Sequence, residues 1–355
     1  MKIALVAPIE ESVPPQKYGG TELVVANIAN TLTNMGHQVS LLASGDSHTQ
    51  ARLIPIAAKA IRSENSKPTP QGLRQYYKFE QAATILEKLK ELKPDIVHNH
   101  LSWRLLQFRH SIPLPMVTTH HGPLASIPEK RTFKKYKDEN HISISNNQRK
   151  AMPSLNWVST VYNGIDLDIF PFEEKKQDYF VFLGRTSPEK GLLEICTMIQ
   201  KTSHRLVIAA KVDIIDRPYF EEKIKPLIDG KQITFVGEVG HRRKVELLKG
   251  AKALLLWLNW EEPFGLVVTE AMSCGTPVIV NPRGSMPELI DNGTTGFLVS
   301  SLNQMQKKLD LVDHLNAQTC RKQVQKRFSN QKMAEDYLKV YLLAISQYAT
   351  SHNRS

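Results

Sequence analysis

Three cysteines in 355 residues, Cys196, Cys274 and Cys320, are too few for a disulfide framework, and no CxxC spacing marks a zinc site. No stretch approaches the ~20 apolar residues that cross a bilayer. The apolar part of the opening Met1-Lys-Ile-Ala-Leu-Val-Ala-Pro8 is too short for the core of a secretion signal. These absences predict a chain kept in a reducing cytoplasm. No GxGxxG fingerprint follows the first strand signal, which counts against a nicotinamide-binding domain. Acidic residues are in deficit: 35 Asp+Glu against 46 Lys+Arg leave a net charge of +11. The excess is lopsided, since residues 1–165 hold 20 Lys+Arg against 12 Asp+Glu and the rest 26 against 23. No zinc-finger or RNP-type signature accompanies that charge, so nucleic acid is not the expected partner.

What is present is an alternation of short β-like runs with helical periodicity. Strand signals at Ile3–Ala7, Val39–Ala43, Ile96–His98, Met116–Thr119 and His141–Ser145 flank helical patterns at Thr21–Met35 and Gln71–Leu92. The same grammar restarts at Tyr179–Leu183 and continues through Leu206–Ala210, Ile233–Val236, Ala253–Leu258 and Val278–Val280. Such alternation predicts parallel sheets wrapped by helices, and its restart predicts two doubly wound α/β domains. Turn chemistry at Asn163-Gly-Ile-Asp and a polar run ending at Asp178 place the junction between them. From Ser329 to Tyr348 the apolar residues Ala334, Tyr337, Leu338, Tyr341, Leu342 and Ile345 form the stripe of an amphipathic helix.

Candidate chemistry gathers where strands end. Glu262-Pro-Phe-Gly-Leu-Val-Val-Thr-Glu270 places two carboxylates eight positions apart between two strand signals, and Ala271-Met-Ser-Cys-Gly-Thr-Pro-Val-Ile279 follows. Pro263 and Gly265 introduce a short helix whose unpaired N–H groups and positive dipole end suit a phosphate. Gly184-Arg-Thr-Ser-Pro-Glu-Lys-Gly191 supplies a planar cation, Arg185, and a point charge, Lys190, for a diphosphate. The loop Pro8 to Gly20 ends in Tyr18-Gly-Gly-Thr-Glu22, where Gly19 and Gly20 allow close backbone approach and Thr21 is a candidate N-cap. Thr118-Thr-His-His-Gly-Pro123 puts His120 and His121 at another strand end. His98 and His100 lie on one face of an extended segment, so a metal pair is conceivable, but no third ligand identifies itself. Asp166-Leu-Asp168 spells a DxD metal motif inside an interdomain turn, a position that favours a structural role. Lys130-Arg-Thr-Phe-Lys-Lys-Tyr-Lys137 is either a solvated basic face or a landing patch for an anionic lipid surface or acidic acceptor, with Phe133 and Tyr136 interleaved.

Together these motifs resemble the retaining GT-B glycosyltransferases of family four (glycosyl transferases group 1): Glu-x7-Glu with the Gly-Thr-Pro-Val strand behind it, Gly-Arg-x4-Lys-Gly, the Gly-Gly turn, Gly36-His-Gln-Val39 and Thr-x-His-Gly-Pro, in that family's order. The resemblance runs from Met1 to about Tyr348. It implies two Rossmann-like domains facing across a cleft: 1–165 on the acceptor side, 166–328 binding a nucleotide sugar, and 329–355 a helix crossing back to the first. It implies transfer of a hexosyl group from a UDP- or GDP-sugar to a hydroxyl acceptor (glycan, lipid-linked or small molecule), with no metal or other cofactor. By resemblance His121 and Glu262 hold the sugar near its 6- and 3-hydroxyls, and Arg185 and Lys190 stabilise the departing diphosphate. Glu270 holds the ribose. Gly19, Gly20, Phe264, Gly265, Leu266 and Val267 line the donor, while Lys211, Glu238 and Val239 flank the base. Gly36, His37, Asp166 and Asp168 are structural. Leu256-Trp-Leu-Asn-Trp260 departs from the pattern, being bulky where the family tends to carry smaller residues. Three other classes fit parts of this pattern: a glycoside hydrolase using Glu262 and Glu270, a nucleotide-sugar epimerase of the same fold, and a non-catalytic nucleotide-sugar or glycan binder. On one continuous helix the two carboxylates would sit about 12 Å apart by rise, too far for a hydrolytic pair.

Overall fold

The computed structural model describes residues 1–16, 19–62 and 69–352. Tyr18 of the glycine loop and the end of the 329–355 segment, residues 353–355, lie outside them. The chain divides into two compact units, 1–164 with 330–355, and 165–329.

The first unit carries a seven-stranded sheet. Its strands are β1 (Lys2–Val6), β2 (Gln38–Ser44), β3 (Arg52–Ala57), β4 (Ile96–Asn99), β5 (Met116–Thr119), β6 (Asn140–Ser143) and β7 (Trp157–Thr160), in the order β3-β2-β1-β4-β5-β6-β7. The second carries β8 (Phe180–Arg185), β9 (Leu206–Lys211), β10 (Ile233–Gly237), β11 (Leu254–Leu256), β12 (Val278–Val280) and β13 (Gly296–Leu298), in the order β10-β9-β8-β11-β12-β13. Every pairing is parallel. Both sheets are therefore doubly wound, and strand order reverses beside β1 in one and beside β8 in the other. In such sheets ligands bind outside the carboxyl ends of the strands at that reversal.

The central strands β4, β5, β11 and β12 are buried at every position; β11 and β12 are wholly apolar, whereas β4 and β5 end in the buried polar residues His98, Asn99, Thr118 and Thr119. β3 and β7 at the edges are only partly buried, and β3 contains Pro55, which an edge strand tolerates. The helix Gly20–Asn34 ends in a Schellman motif. Gly36 N–H donates to the Thr33 carbonyl and His37 N–H to that of Leu32, which gives Gly36 and His37 a structural part. The terminal helix Asn330–His352 belongs to the first unit and packs on Gly20–Asn34, with Tyr337 and Tyr341 fully buried. Where the chain crosses between units, Ile165 bridges Ser329 in parallel and donates to the Phe328 carbonyl at 2.8 Å.

Some local expectations need correction. The first helix begins at Gly20 with Gly19 as its N-cap and no side-chain cap, so Thr21 lies inside it. The basic segment forms the helix Ile127–Lys135, started by a capping box between Ser126 and Glu129. Its lysines and arginine are exposed, but Phe133 and Tyr136 point into the core, so the interleaved aromatics are not offered to a surface. All three cysteines are buried and unbridged, with thiols pushed up by burial, to about 12 for Cys196 and Cys320 and about 11 for Cys274. Among the described residues no helix is long and apolar enough to cross a membrane.

Candidate active site

In the second unit the loops after β8 and β11 converge at the strand-order reversal. The segment after β11 is not one continuous helix. Glu262 lies in a loop, and the helix Leu266–Ser273 starts only after Gly265, its N-cap, adopts φ +82. That left-handed turn re-aims the chain, and a Cβ there would meet the Met286 methyl at 2.8 Å. Gly284 and Ser285 fasten the loop from the other side: Gly284 N–H donates to Glu261 Oε2 at 2.8 Å and Ser285 N–H to the Glu262 carbonyl at 2.9 Å. Glu270 stands in the second turn of the helix. Gly265, Leu266 and Val267 are partly exposed at its start, where the first N–H groups have no carbonyl one turn back. Phe264 is buried as a whole: its ring packs against Phe328 and its carbonyl accepts from Ser285 Oγ at 2.6 Å, so it supports the loop from within.

Both carboxylates carry a lysine partner. Lys190 Nζ donates to Glu262 Oε2 at 2.5 Å, and Lys244 Nζ to Glu270 Oε1 at 2.6 Å. Lys190 also lies 4.7 Å from the centre of the Trp260 ring, whose Nε1 is buried without a partner. Arg185 pairs with Glu189, and Lys211 with Asp213 at 3.0 Å. Gly191, at φ +66, brings the phosphate-type loop so close to β11 that a Cβ would fall 1.8 Å from the Trp257 carbonyl. Glu238 is exposed and Val239 half-buried after β10. The site thus brings together cations, carboxylates and a helix start, groups whose chemistry suits phosphate oxygens and hydroxyls.

The first unit gathers histidines at the ends of β4 and β5. His100 Nδ1 lies 2.8 Å from His121 Nε2, and His120 Nε2 lies 2.9 Å from His141 Nδ1, whose other nitrogen faces the Tyr136 carbonyl. Burial depresses all of them, His121 to about 4, so each is neutral near pH 7. His121 is the partly exposed member of its pair, whereas His120 is enclosed. His98 is no metal ligand: its nitrogens are taken by Tyr341 Oη and Thr119 Oγ1, both at 2.7 Å. Gly19 packs on Pro15, and Glu22, three residues on, is buried with its carboxyl raised to about 7 by burial. Asp166 accepts from the Asp168 N–H at 3.0 Å, a local turn that accounts for the DxD spelling.

Several participants escaped the sequence. Lys244 sits in the helix His241–Gly250 with no motif around it. Thr186 and Ser187, in the loop after β8, have buried hydroxyls without partners. Their place beside Arg185 was the one available signal.

Two family models match in tandem: Glycosyltransferase Family 4 over residues 18–169 and Glycosyl transferases group 1 over 166–332. N-acetyl-alpha-D-glucosaminyl L-malate synthase of Bacillus anthracis is 25% identical over 374 aligned positions, covering 91% of this chain and 93% of the relative. Among solved structures, sucrose-phosphate synthase from Thermosynechococcus elongatus superposes with a TM-score of 0.79 at 18% identity, covering 97% and 99% of the two chains. Anabaena HepE in complex with UDP and glucose superposes at 0.72 and 19% identity, covering 96% and 99%. The two doubly wound sheets and the two adjoining models agree, and the chain is a glycosyltransferase of GT-B fold, of the group 1/family 4 type.

Proposed function

We propose that the enzyme transfers a hexosyl group from a UDP- or GDP-sugar to a hydroxyl acceptor with retention of configuration and without a metal ion. The observation that carries this reading is the pair of lysine-capped carboxylates, Glu262 and Glu270, bracketing a helix start at the carboxyl edge of the second sheet. In it, Arg185, Lys190 and the N–H groups from Gly265 onward stabilise the negative charge that grows on the leaving diphosphate. Glu262 accepts from sugar hydroxyls and Glu270 from ribose hydroxyls. Neutral His121 meets the sugar with a nitrogen that can donate or accept without adding charge. Substitution on the face of the leaving group fits an ion-pair-like transition state, with the departing phosphate taking the acceptor proton. UDP is the first nucleotide to test because one similar structure contains it. The enzyme works in the cytoplasm, and the exposed cations of Ile127–Lys135 hold it to an anionic membrane surface by charge.

A thermal-shift screen over UDP-, GDP- and ADP-sugars tests the donor: a ligand at 100 times its Kd adds ~2.7 kcal/mol. Transfer to an acceptor, followed by NMR of the new glycosidic bond in EDTA, tests retention and metal independence together. Absence of a shift with every donor refutes the reading, and an inverted linkage refutes the retaining mechanism. Release of free sugar and nucleotide without acceptor favours the epimerase class.

A further inference from the structure

The carboxylate assigned to the ribose is among the most enclosed charged groups of the second unit, with Glu270 3% exposed. A carboxylate so placed is costly unless a cation accompanies it. Lys244 is that cation, 2.6 Å from Oε1 and itself largely enclosed. The lysine is also held from below. Lys244 Nζ lies 5.3 Å from the centre of the Phe170 ring, and His241, one turn earlier on the same helix, meets that ring edge-on at 5.3 Å. Phe170 is fully buried, and its carbonyl receives a hydrogen bond from Arg321. A rigid aromatic therefore fixes the lysine, and the lysine fixes one carboxylate oxygen. The lysine takes Oε1, and among the described residues no hydrogen bond is made to Glu270 Oε2.

We propose that Lys244 is a positioning residue for ribose recognition: by occupying Glu270 Oε1 it orients Oε2 toward the ribose hydroxyls and makes the site select ribonucleotides over deoxyribonucleotides. This inference rests on the donor-site reading above. In it Lys244 acts through Glu270.

The test is calorimetry on the full chain with UDP, GDP and ADP, then with the 2′-deoxy and 3′-deoxy forms of whichever binds best. Wild type should prefer the ribonucleotide by roughly ten- to a hundredfold, the range for a hydrogen bond to a charged group. Lys244→Met keeps an unbranched side chain of similar length and removes the charge. It should lower ribonucleotide affinity and shrink the preference to about threefold or less, while deoxy-form affinity barely changes. Lys244→Arg should restore most of the preference. A Met variant that keeps the wild-type preference, or weakens ribo and deoxy forms equally, overturns the proposal while leaving the donor site standing. A wild type without a ribose preference also overturns it. Wild-type binding to none of the three diphosphates refutes the donor-site reading itself.

Discussion

Replacing Glu262 by Gln should strengthen binding of the free nucleoside diphosphate while it cripples transfer. Lys190 is held by Glu262 at 2.5 Å, with both side chains mostly enclosed at 15% and 13% exposure. A diphosphate arriving at Lys190 meets the carboxylate as well. With roughly 6 Å between that carboxylate and the phosphate and an effective dielectric near 20, the repulsion is about 3 kcal/mol per unit charge, before solvent screening reduces it to about 1 kcal/mol. Gln keeps the shape and removes the charge, so UDP, or whichever diphosphate binds, should bind about three- to tenfold more tightly. The nucleotide sugar gains nothing comparable, because the same change removes a charge-assisted bond to a sugar hydroxyl, which typically contributes ~1.5–3 kcal/mol. Turnover should fall by at least tenfold. Glu270→Gln should behave oppositely on the first measure, weakening diphosphate and donor alike. Calorimetry with the diphosphate and initial rates with the donor measure both quantities for each variant. A Glu262→Gln enzyme that binds the diphosphate tenfold more weakly, or that transfers at the wild-type rate, refutes the assigned division of labour.

Arg185→Ala and Lys190→Ala should each weaken diphosphate binding by about tenfold or more with an unchanged melting profile; unaltered affinity in both removes them from the site. Glu22, buried near the glycine turn, has its carboxyl raised from 4.5 to about 7 by burial, so the native state keeps a proton that the unfolded chain releases between those values. Its contribution is complete below pH 4.5 and is lost as pH rises through 7, a difference on the order of 3 kcal/mol. Glu22→Gln should match wild type near pH 4.5 and exceed it in urea melts near pH 8, and an offset that does not change with pH would refute the assignment. Vesicle flotation should show attachment to anionic but not neutral bilayers, fading between about 0.05 and 0.5 M salt, and reduced when Lys130, Arg131, Lys134 and Lys135 become Gln. No attachment at low salt would leave those side chains as a solvated helix face.

Much of this architecture could be read from residue order. Continuous apolar runs such as Ala253–Leu258 and Val278–Val280 marked strands buried on both faces, and their spacing by helical patterns implied parallel sheets. The strands that escaped notice, β3, β7 and β13, are those where that signal fails: β3 carries Pro55, β7 is half-exposed throughout, and β13 opens on a glycine. Local rules also misplaced the start of the first helix, because a Gly at the N-cap leaves no side-chain signature to find.

The candidate residues themselves divide the same way. Arg185, Lys190, Glu262 and Glu270 were legible because each follows a strand at the edge where α/β sheets present ligands, and the turn residues between them constrain the backbone locally. What they touch was not legible. Lys190 reaches Glu262 across 72 positions, Lys244 reaches Glu270 across 26, and His100 meets His121 across 21. The inward turn of Phe133 and Tyr136 likewise depends on the sheet beneath them. Local chain chemistry determined which residues stand at strand ends, since backbone preference and hydrophobic period act over a few positions. Only the tertiary structure decided which charges neutralise one another and which aromatics are buried, because those partnerships form between segments that the winding of each sheet brings together.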